Sequence, residues 1–145
     1  MIDRLPDDTI RTWARLVRVQ QDLLDHVEAD LKAAGLPPLV WYDVLLELVR
    51  EPDGRLRYRD LQARLLLAKH NLSRLLDRLA AEDLITREAV ADDARGACIV
   101  VTAAGRQLQK RIWPVYHQAI ATHFAGKLSG ADVKKLGDIL DKLRR

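Results

Sequence analysis

The chain has 145 residues, of which 48% are apolar and 31% are charged, a balance typical of a folded globular protein rather than a disordered one. The formal net charge of +3 is compatible with nucleic-acid binding but does not diagnose it, and the aromatic content of 5% offers no obvious stacking platform for single strands. One cysteine, Cys98, excludes an intramolecular disulfide. No apolar run approaches the roughly 20 residues that span a bilayer, and the first residues lack a signal-peptide pattern. We therefore expect a cytoplasmic protein with no membrane partner.

A long amphipathic helix is predicted from Asp8 to about Ala34, where Gly35 and two prolines end the pattern. Its apolar residues recur at spacings of three and four, from Ile10 to Leu31. This face is longer than one short neighbour can cover, which favours a partner subunit. An ordinary core helix is the alternative.

A second helix, from Leu39 to Arg50, is apolar around most of its circumference. It leaves Asp43, Glu47 and Arg50 as a single polar stripe. A helix of this composition is buried on several sides, so we expect it to be central in the fold.

A helix-turn-helix is predicted next. A short strand over 55–57 precedes a helix from Arg59 to Leu65, and a tight connection at Leu66 and Leu67 leads to a second helix over 67–79. The second helix has leucines at 72, 75, 76 and 79 on one side. Its other faces carry Lys, His, Asn, Ser and Arg, side chains that can bind base edges and phosphates. A solvated surface face is the alternative.

After the second helix, the sequence pattern changes from helical spacing to that of a β-hairpin. Two β-branched runs, 84–90 and 97–102, flank a charged, glycine-containing tip. Thr102 is a plausible N-cap for the next helix, which contains Pro114. Ser129 and Asp132 have the spacing of a capping box that opens the last helix.

This order of elements resembles the MarR family of winged-helix transcription regulators, and the resemblance covers nearly the whole chain. Each motif is weak alone, but all occur in order and at the family's spacing. The matching segments are Leu36 to Leu45, the Ser-Arg-Leu-x-Asp-Arg-Leu run at 73–79, Asp83 to Arg87, Asp93 to Gly96, and Thr102 with Gly105.

The resemblance implies a mainly α fold with a small β wing. It divides the single unit of 1–145 into a winged helix-turn-helix DNA-binding part over 37–104 and a helical dimerisation part over 8–34 and 106–145. It implies a homodimer on a palindromic double-stranded operator, acting as a repressor. It also implies release from DNA by a small aromatic or anionic effector that binds between the two parts.

The resemblance places the DNA contacts on the second helix of the motif and on the wing. The expected contacts are Lys69, His70, Asn71, Ser73, Arg74, Arg78 and Arg95. Asp93 is expected to support the wing by an ion pair with Arg95, since a carboxylate repels phosphates, and Arg78 could equally be a structural ion-pair partner. Ala68 stands where the family commonly has Ser, which would remove the helix's side-chain N-cap.

Aromatic residues lie on the segments that flank the family's effector pocket. They are Trp13, Trp41, Tyr42, Trp113, Tyr116 and His117. Packing in the core is the alternative for each of them. Cys98 is expected to be a small apolar residue of the wing, with a redox role as the weaker alternative.

The sequence offers little for catalysis or cofactor binding. The four histidines lack metal-ligand spacing, and no phosphate loop, nucleophile elbow or zinc-protease motif occurs. We therefore expect no enzyme activity, no metal and no cofactor. The alternative function is a winged-helix module for protein association without a specific DNA target.

Overall fold

A computed structural model describes residues 4–67, 71–90 and 93–144. The elements in chain order are α1 (Asp7–Ala33), α2 (Leu39–Val49), β1 (Arg55–Arg57), α3 (Tyr58–Arg64), α4 (Leu72–Ala81), β2 (Ile85–Val90), β3 (Asp93–Val101), α5 (Ala103–His123), a 3-10 turn (Ala125–Lys127) and α6 (Gly130–Asp141). The mainly α fold with a small sheet is confirmed, and the short turn after α5 was not predicted.

The hydrophobic core lies around α2, as its composition predicted. Val44, Leu45 and Leu48 are fully buried, and the core continues into α3 through Leu61 and into α4 through Leu76. Asp43, which belongs to the polar stripe of α2, is buried. It faces the connection after α3, where the amides of Leu66 and Leu67 donate hydrogen bonds to it.

The sheet has the strand order β1-β3-β2, with both pairs antiparallel. Ile99 on the central strand β3 pairs with Leu56 on β1 and with Arg87 on β2. These three residues therefore share one face of the sheet. Leu56 and Ile99 are buried on that face. The hairpin is confirmed, but β3 begins at Asp93 rather than near Ala97, and its register is irregular at Ala89 and Val90.

The second helix of the helix-turn-helix begins later than predicted. Asn71 has φ 61° and ψ 26°, in the left-handed region, and α4 starts at Leu72. A residue in that conformation cannot be part of a right-handed helix. The prediction of one continuous helix from Leu67 was therefore wrong. Ala68, the expected position of the missing cap, lies outside the described residues.

Thr102 caps α5, as predicted. Its hydroxyl accepts a hydrogen bond from the amide of Gly105 at 3.0 Å and donates one to the carbonyl of Asp83 at 2.6 Å. Ser129 and Asp132 form the predicted capping box at the start of α6, with both hydrogen bonds at 3.0 Å.

The two ends of the chain leave apolar side chains uncovered. In α1 only Val27 and Leu31 are buried, whereas Trp13 is 66% exposed. No residue of α6 is buried. The exposed large apolar residues of these two ends are Leu5, Ile10, Trp13, Leu16, Val19, Val133, Ile139, Leu140 and Leu143.

Within the described ranges, no helix combines the length and the apolar character that crossing a membrane requires.

Candidate nucleic-acid interface and the adjoining aromatic groove

Helix α4 has one buried side and one solvent-facing side. Leu72, Leu75, Leu76 and Leu79 are all buried, which fixes the orientation of the helix on the core. The predicted contact residues Ser73, Arg74 and Arg78 are all exposed, and so is Asn71 just before the helix. The structure therefore brings four predicted residues to one accessible surface.

Arg87 of β2 ties this surface to the sheet. Its Nη2 lies 2.8 Å from Oδ1 of Asp77 and donates to the carbonyl of Ser73 at 3.2 Å. Because Arg87 is engaged in this way, its charge is partly neutralised and its role is to hold the wing against α4. Among the residues that the structure describes, Arg74 and Arg78 form no ion pair, so the alternative of Arg78 as a structural ion-pair partner has no support there.

Tyr58 also reaches this surface. Its hydroxyl lies 3.2 Å from the Ser73 hydroxyl, which joins the start of α3 to α4. Sequence reasoning missed both Tyr58 and Arg87. The Arg of the Asp83–Arg87 motif was a signal for the second, but periodicity gave none for the first.

Some of the predicted contacts cannot be placed. Lys69 and His70 lie outside the described residues. Asp93 and Arg95 lie on β3, but their side chains, and so the predicted ion pair between them, are also outside the description. All four remain predictions.

Three predicted aromatic residues meet in a groove between α2 and α5. Tyr42 stacks with Trp113, with ring centroids 6.1 Å apart and planes 13° apart. Tyr116 meets both rings edge-on, at 5.2 Å from Tyr42 and 5.9 Å from Trp113. The groove has a volume of about 660 Å³, which is in the size range of small-molecule sites.

The charged side chains that line the groove are already bonded to the backbone or to a neighbouring side chain. Asp43 accepts hydrogen bonds from the amides of Leu66 at 3.2 Å and Leu67 at 2.7 Å. The guanidinium of Arg50 donates to Glu47 at 3.2 Å, and Arg64 forms an ion pair with Glu51. The groove thus contacts the segment that leads to α4.

Burial controls the acidity of the two tyrosines. Burial raises the pKa of Tyr116, and the nearby Tyr42 and Asp43 raise it further. Burial also raises the pKa of Tyr42, against opposing effects from a hydrogen bond with Gln109 and from the charge of Arg50. Both phenols therefore stay neutral and keep their hydrogen-bond donors at physiological pH.

The other predicted pocket residues lie elsewhere. Trp13 is exposed on α1, and Trp41 lines a separate cleft with Leu36, Pro37 and Leu84. His117 does not line the groove, but its ring meets Trp113 edge-on at 5.3 Å. Trp13 is on α1, which does not line the groove, and Trp41 projects about 100° around α2 from Tyr42.

No group of three or more metal-ligating side chains occurs in the described part of the chain. Cys98 is buried on β3, opposite Arg57 and Glu88. His26 and His123 stack at 4.7 Å, and Nε2 of His123 lies 2.9 Å from Asp30, which joins α1 to α5.

A three-stranded sheet beside a helix-turn-helix, with an exposed cationic face on the second helix, defines a winged helix-turn-helix protein. The sequence model described as MarR family matches residues 34–96. The resemblance to that family noted in the sequence is thereby confirmed over this part of the chain.

Solved structures of regulators share the fold over nearly the whole chain. AbsC, a MarR family transcriptional regulator from Streptomyces coelicolor, is 26% identical with a TM-score of 0.85, over 98% of this chain and 95% of that one. Sco3205 from the same organism, solved in complex with DNA, is 25% identical with a TM-score of 0.87, and the match covers 98% of this chain and 89% of that one. Bordetella bronchiseptica BpsR, whose DNA binding is regulated by 6-hydroxynicotinic acid, is 20% identical with a TM-score of 0.77, over 90% of each chain. The comparison with curated protein sequences gave no match.

Proposed function

We propose that the protein is a homodimeric transcription regulator that binds double-stranded DNA sequence-specifically and represses its target genes. The observation that carries the proposal is the exposed face of α4, where Arg74 and Arg78 have no carboxylate partner within the described residues. An arginine in the major groove can bond two acceptors of guanine, and phosphates attract its charge.

The uncovered faces of α1 and α6 support the dimer. A set of nine large apolar side chains on the chain's two ends is a surface that a second copy can cover. In this proposal, the dimerisation part comprises residues 8–34 and 106–145, and the DNA-binding part comprises residues 37–104. Two-fold symmetry then requires a palindromic operator with half-sites roughly 10 bp apart.

The groove of Tyr42, Trp113 and Tyr116 is the proposed effector site. It lies between α2 of the DNA-binding part and α5 of the dimerisation part, so a bound molecule can change how the two parts meet. BpsR, whose DNA binding responds to a small aromatic acid, supports a release mechanism of this kind. A small aromatic or anionic molecule is the effector class that the family resemblance implies.

The test begins by selecting bound duplexes from a random pool. A palindromic consensus is the expected result, and its absence would favour a protein-association module instead. The Arg74→Ala variant is then titrated against the selected duplex at fixed salt. We expect a loss of affinity of about 1–3 kcal/mol if Arg74 pairs with a base.

Arg111→Ala is the matched control, because Arg111 is an exposed arginine on α5, away from α4. It should bind the duplex like the wild type. Equal affinity of the Arg74→Ala variant and the wild type, with both still dimeric, would contradict the placement of α4 on DNA.

A further inference from the structure

The inner wall of the groove is aromatic and open to solvent. The Trp113 indole is 42% exposed, while the Tyr42 ring stacked beside it is buried. An open indole face attracts flat rings by stacking and cations by its quadrupole, and tryptophan is the strongest of the side chains in cation–π contacts.

Two carboxylates and two guanidiniums line the groove, but ion pairing with a further carboxylate outside it leaves Asp43 without a cationic partner among the described residues. Asp43 and Glu47 line it with Arg50 and Arg64, and Glu51 is the ion-pair partner of Arg64. Three carboxylates thus accompany two guanidiniums, and each guanidinium is already paired. The charge of Asp43 also reaches the inner ring, since it contributes to the raised pKa of Tyr116.

These charges treat an anion and a cation differently. An aromatic anion entering the groove must compete with Glu47 for Arg50 or with Glu51 for Arg64 to gain a partner. A cation meets the carboxylate of Asp43, which accepts two amide hydrogen bonds but has no ion-pair partner among the described residues. Because Glu47 is only 12% exposed, its field is less screened by solvent than that of a surface carboxylate.

We propose that the groove binds a flat aromatic cation of the amidine or guanidine type. The ring lies against Trp113, and the N–H donors face the carboxylates of Asp43 and Glu47, where charge-assisted hydrogen bonds are strongest. The assignment deepens the proposed function by giving its effector a charge, and only its effect on DNA binding rests on that function.

The position of Asp43 gives such a ligand a route to α4. The oxygens of Asp43 accept hydrogen bonds from the amides of Leu66 and Leu67, which lie six and five residues before α4 begins at Leu72. A ligand that donates to the same carboxylate competes with those amides. Its binding therefore loosens the connection between α3 and α4 and weakens DNA binding.

The test compares three probes of nearly identical shape: benzamidinium, benzamide and benzoate. Their charges are +1, 0 and −1, so differences in affinity report the field of the groove. Binding is measured by isothermal titration calorimetry on the full chain without DNA. We expect benzamidinium to bind at least about tenfold more tightly than benzoate, with benzamide between them. An equal or reversed order would overturn the assignment.

Two variants locate the site. Glu47→Gln should lower the affinity for benzamidinium about fivefold or more, and Trp113→Leu should lower the affinity for both benzamidinium and benzamide. Glu88→Gln is the matched control, since it removes the same charge from the exposed face of the sheet. Unchanged benzamidinium binding in both groove variants would place the ligand elsewhere and refute the proposal.

DNA binding is read separately by fluorescence anisotropy. Benzamidinium should weaken wild-type binding to the selected duplex and leave that of Glu47→Gln less affected. If the protein binds no duplex but still prefers benzamidinium, the proposed function fails and the ligand assignment stands. If the protein binds DNA but prefers benzoate, the ligand assignment fails and the proposed function stands.

Discussion

Asp43 shows how one buried charge can position a distant segment. It lies on α2 but accepts two hydrogen bonds from backbone amides that follow α3. No buried side-chain polar atom in the described part of the chain lacks a hydrogen-bond partner. Since a buried carboxylate is tolerated only when it is bonded, Asp43 fixes the start of the connection that leads to α4.

Asp43→Ala should therefore lower the free energy of unfolding by about 2–3 kcal/mol, because it leaves two amides without their charged acceptor. Asp43→Asn retains one acceptor oxygen and should cost roughly half as much. Urea denaturation measures both, and amide exchange at Leu66 and Leu67 should accelerate in the alanine variant. Wild-type stability of Asp43→Ala would show that water replaces the carboxylate without cost.

The burial of Asp43 could not be predicted from the sequence. A charged residue on a helix that also carries Glu47 and Arg50 fits a solvated stripe, and only the path of the chain after α3 changes that environment. The same limit applies to Tyr58, whose partner Ser73 is distant in sequence. Exposure of Arg74 followed directly from the leucine spacing and could be predicted.

At the scale of elements, the corner between α4, β2 and α5 joins the sheet to the helix that follows it. Asp83 has φ 58°, in the left-handed region that glycine favours, and stands where the family usually has Gly. Thr102 binds its carbonyl and caps α5. One turn later, Gly105 lies so close to β2 that an added Cβ would be 2.2 Å from the Leu84 carbonyl oxygen.

Gly105→Ala should destabilise the protein by about 1–3 kcal/mol, because the added methyl group meets backbone that cannot move aside easily. Gly130→Ala is the control, since a Cβ at the start of α6 meets nothing within 4 Å, and it should change stability by less than about 0.5 kcal/mol. Thermal denaturation of the three proteins gives the comparison. Equal melting temperatures for the Gly105→Ala variant and the wild type would mean that α5 can shift away from β2.

Periodicity predicted most elements but not their junctions. The apolar stripes predicted the helices α1, α2, α5 and α6, with their ends placed to within about one helical turn. The β-branched runs predicted the hairpin. The start of α4 could not be predicted because the spacing of apolar residues does not report the left-handed backbone of Asn71, after which the helix begins. The described start of α4 at Leu72 is therefore later than the tight connection after α3 led us to expect.

At the scale of the whole molecule, one copy of the chain leaves its two ends incompletely covered. The N-terminal half of α1 and the apolar side of α6 expose residues such as Trp13, Ile139 and Leu143. Apolar area that stays in water in the protomer contributes free energy when a second copy covers it. Association through these faces is the basis of the proposed dimer, and through it of the two-fold operator.

Ile139→Glu should weaken dimerisation at least about tenfold, since burying an unpaired carboxylate costs several kcal/mol. The protomer should stay folded, because Ile139 is 49% exposed within it. Lys134→Glu places a carboxylate on the far side of α6, about 140° around the helix from Ile139, and should remain dimeric. Sedimentation equilibrium distinguishes the species, and an unchanged dimer in the Ile139→Glu variant would exclude this side of α6 from the interface.

The left-handed backbone at Asn71 also restricts how related regulators could diverge. Only glycine, asparagine and aspartate adopt this conformation at little cost, so few replacements at this position leave the direction of α4 unchanged. Arg74 and Arg78 lie within the regular helix, where most side chains are tolerated. New operator preferences should therefore evolve first by exchange of residues inside the helix, while position 71 changes slowly.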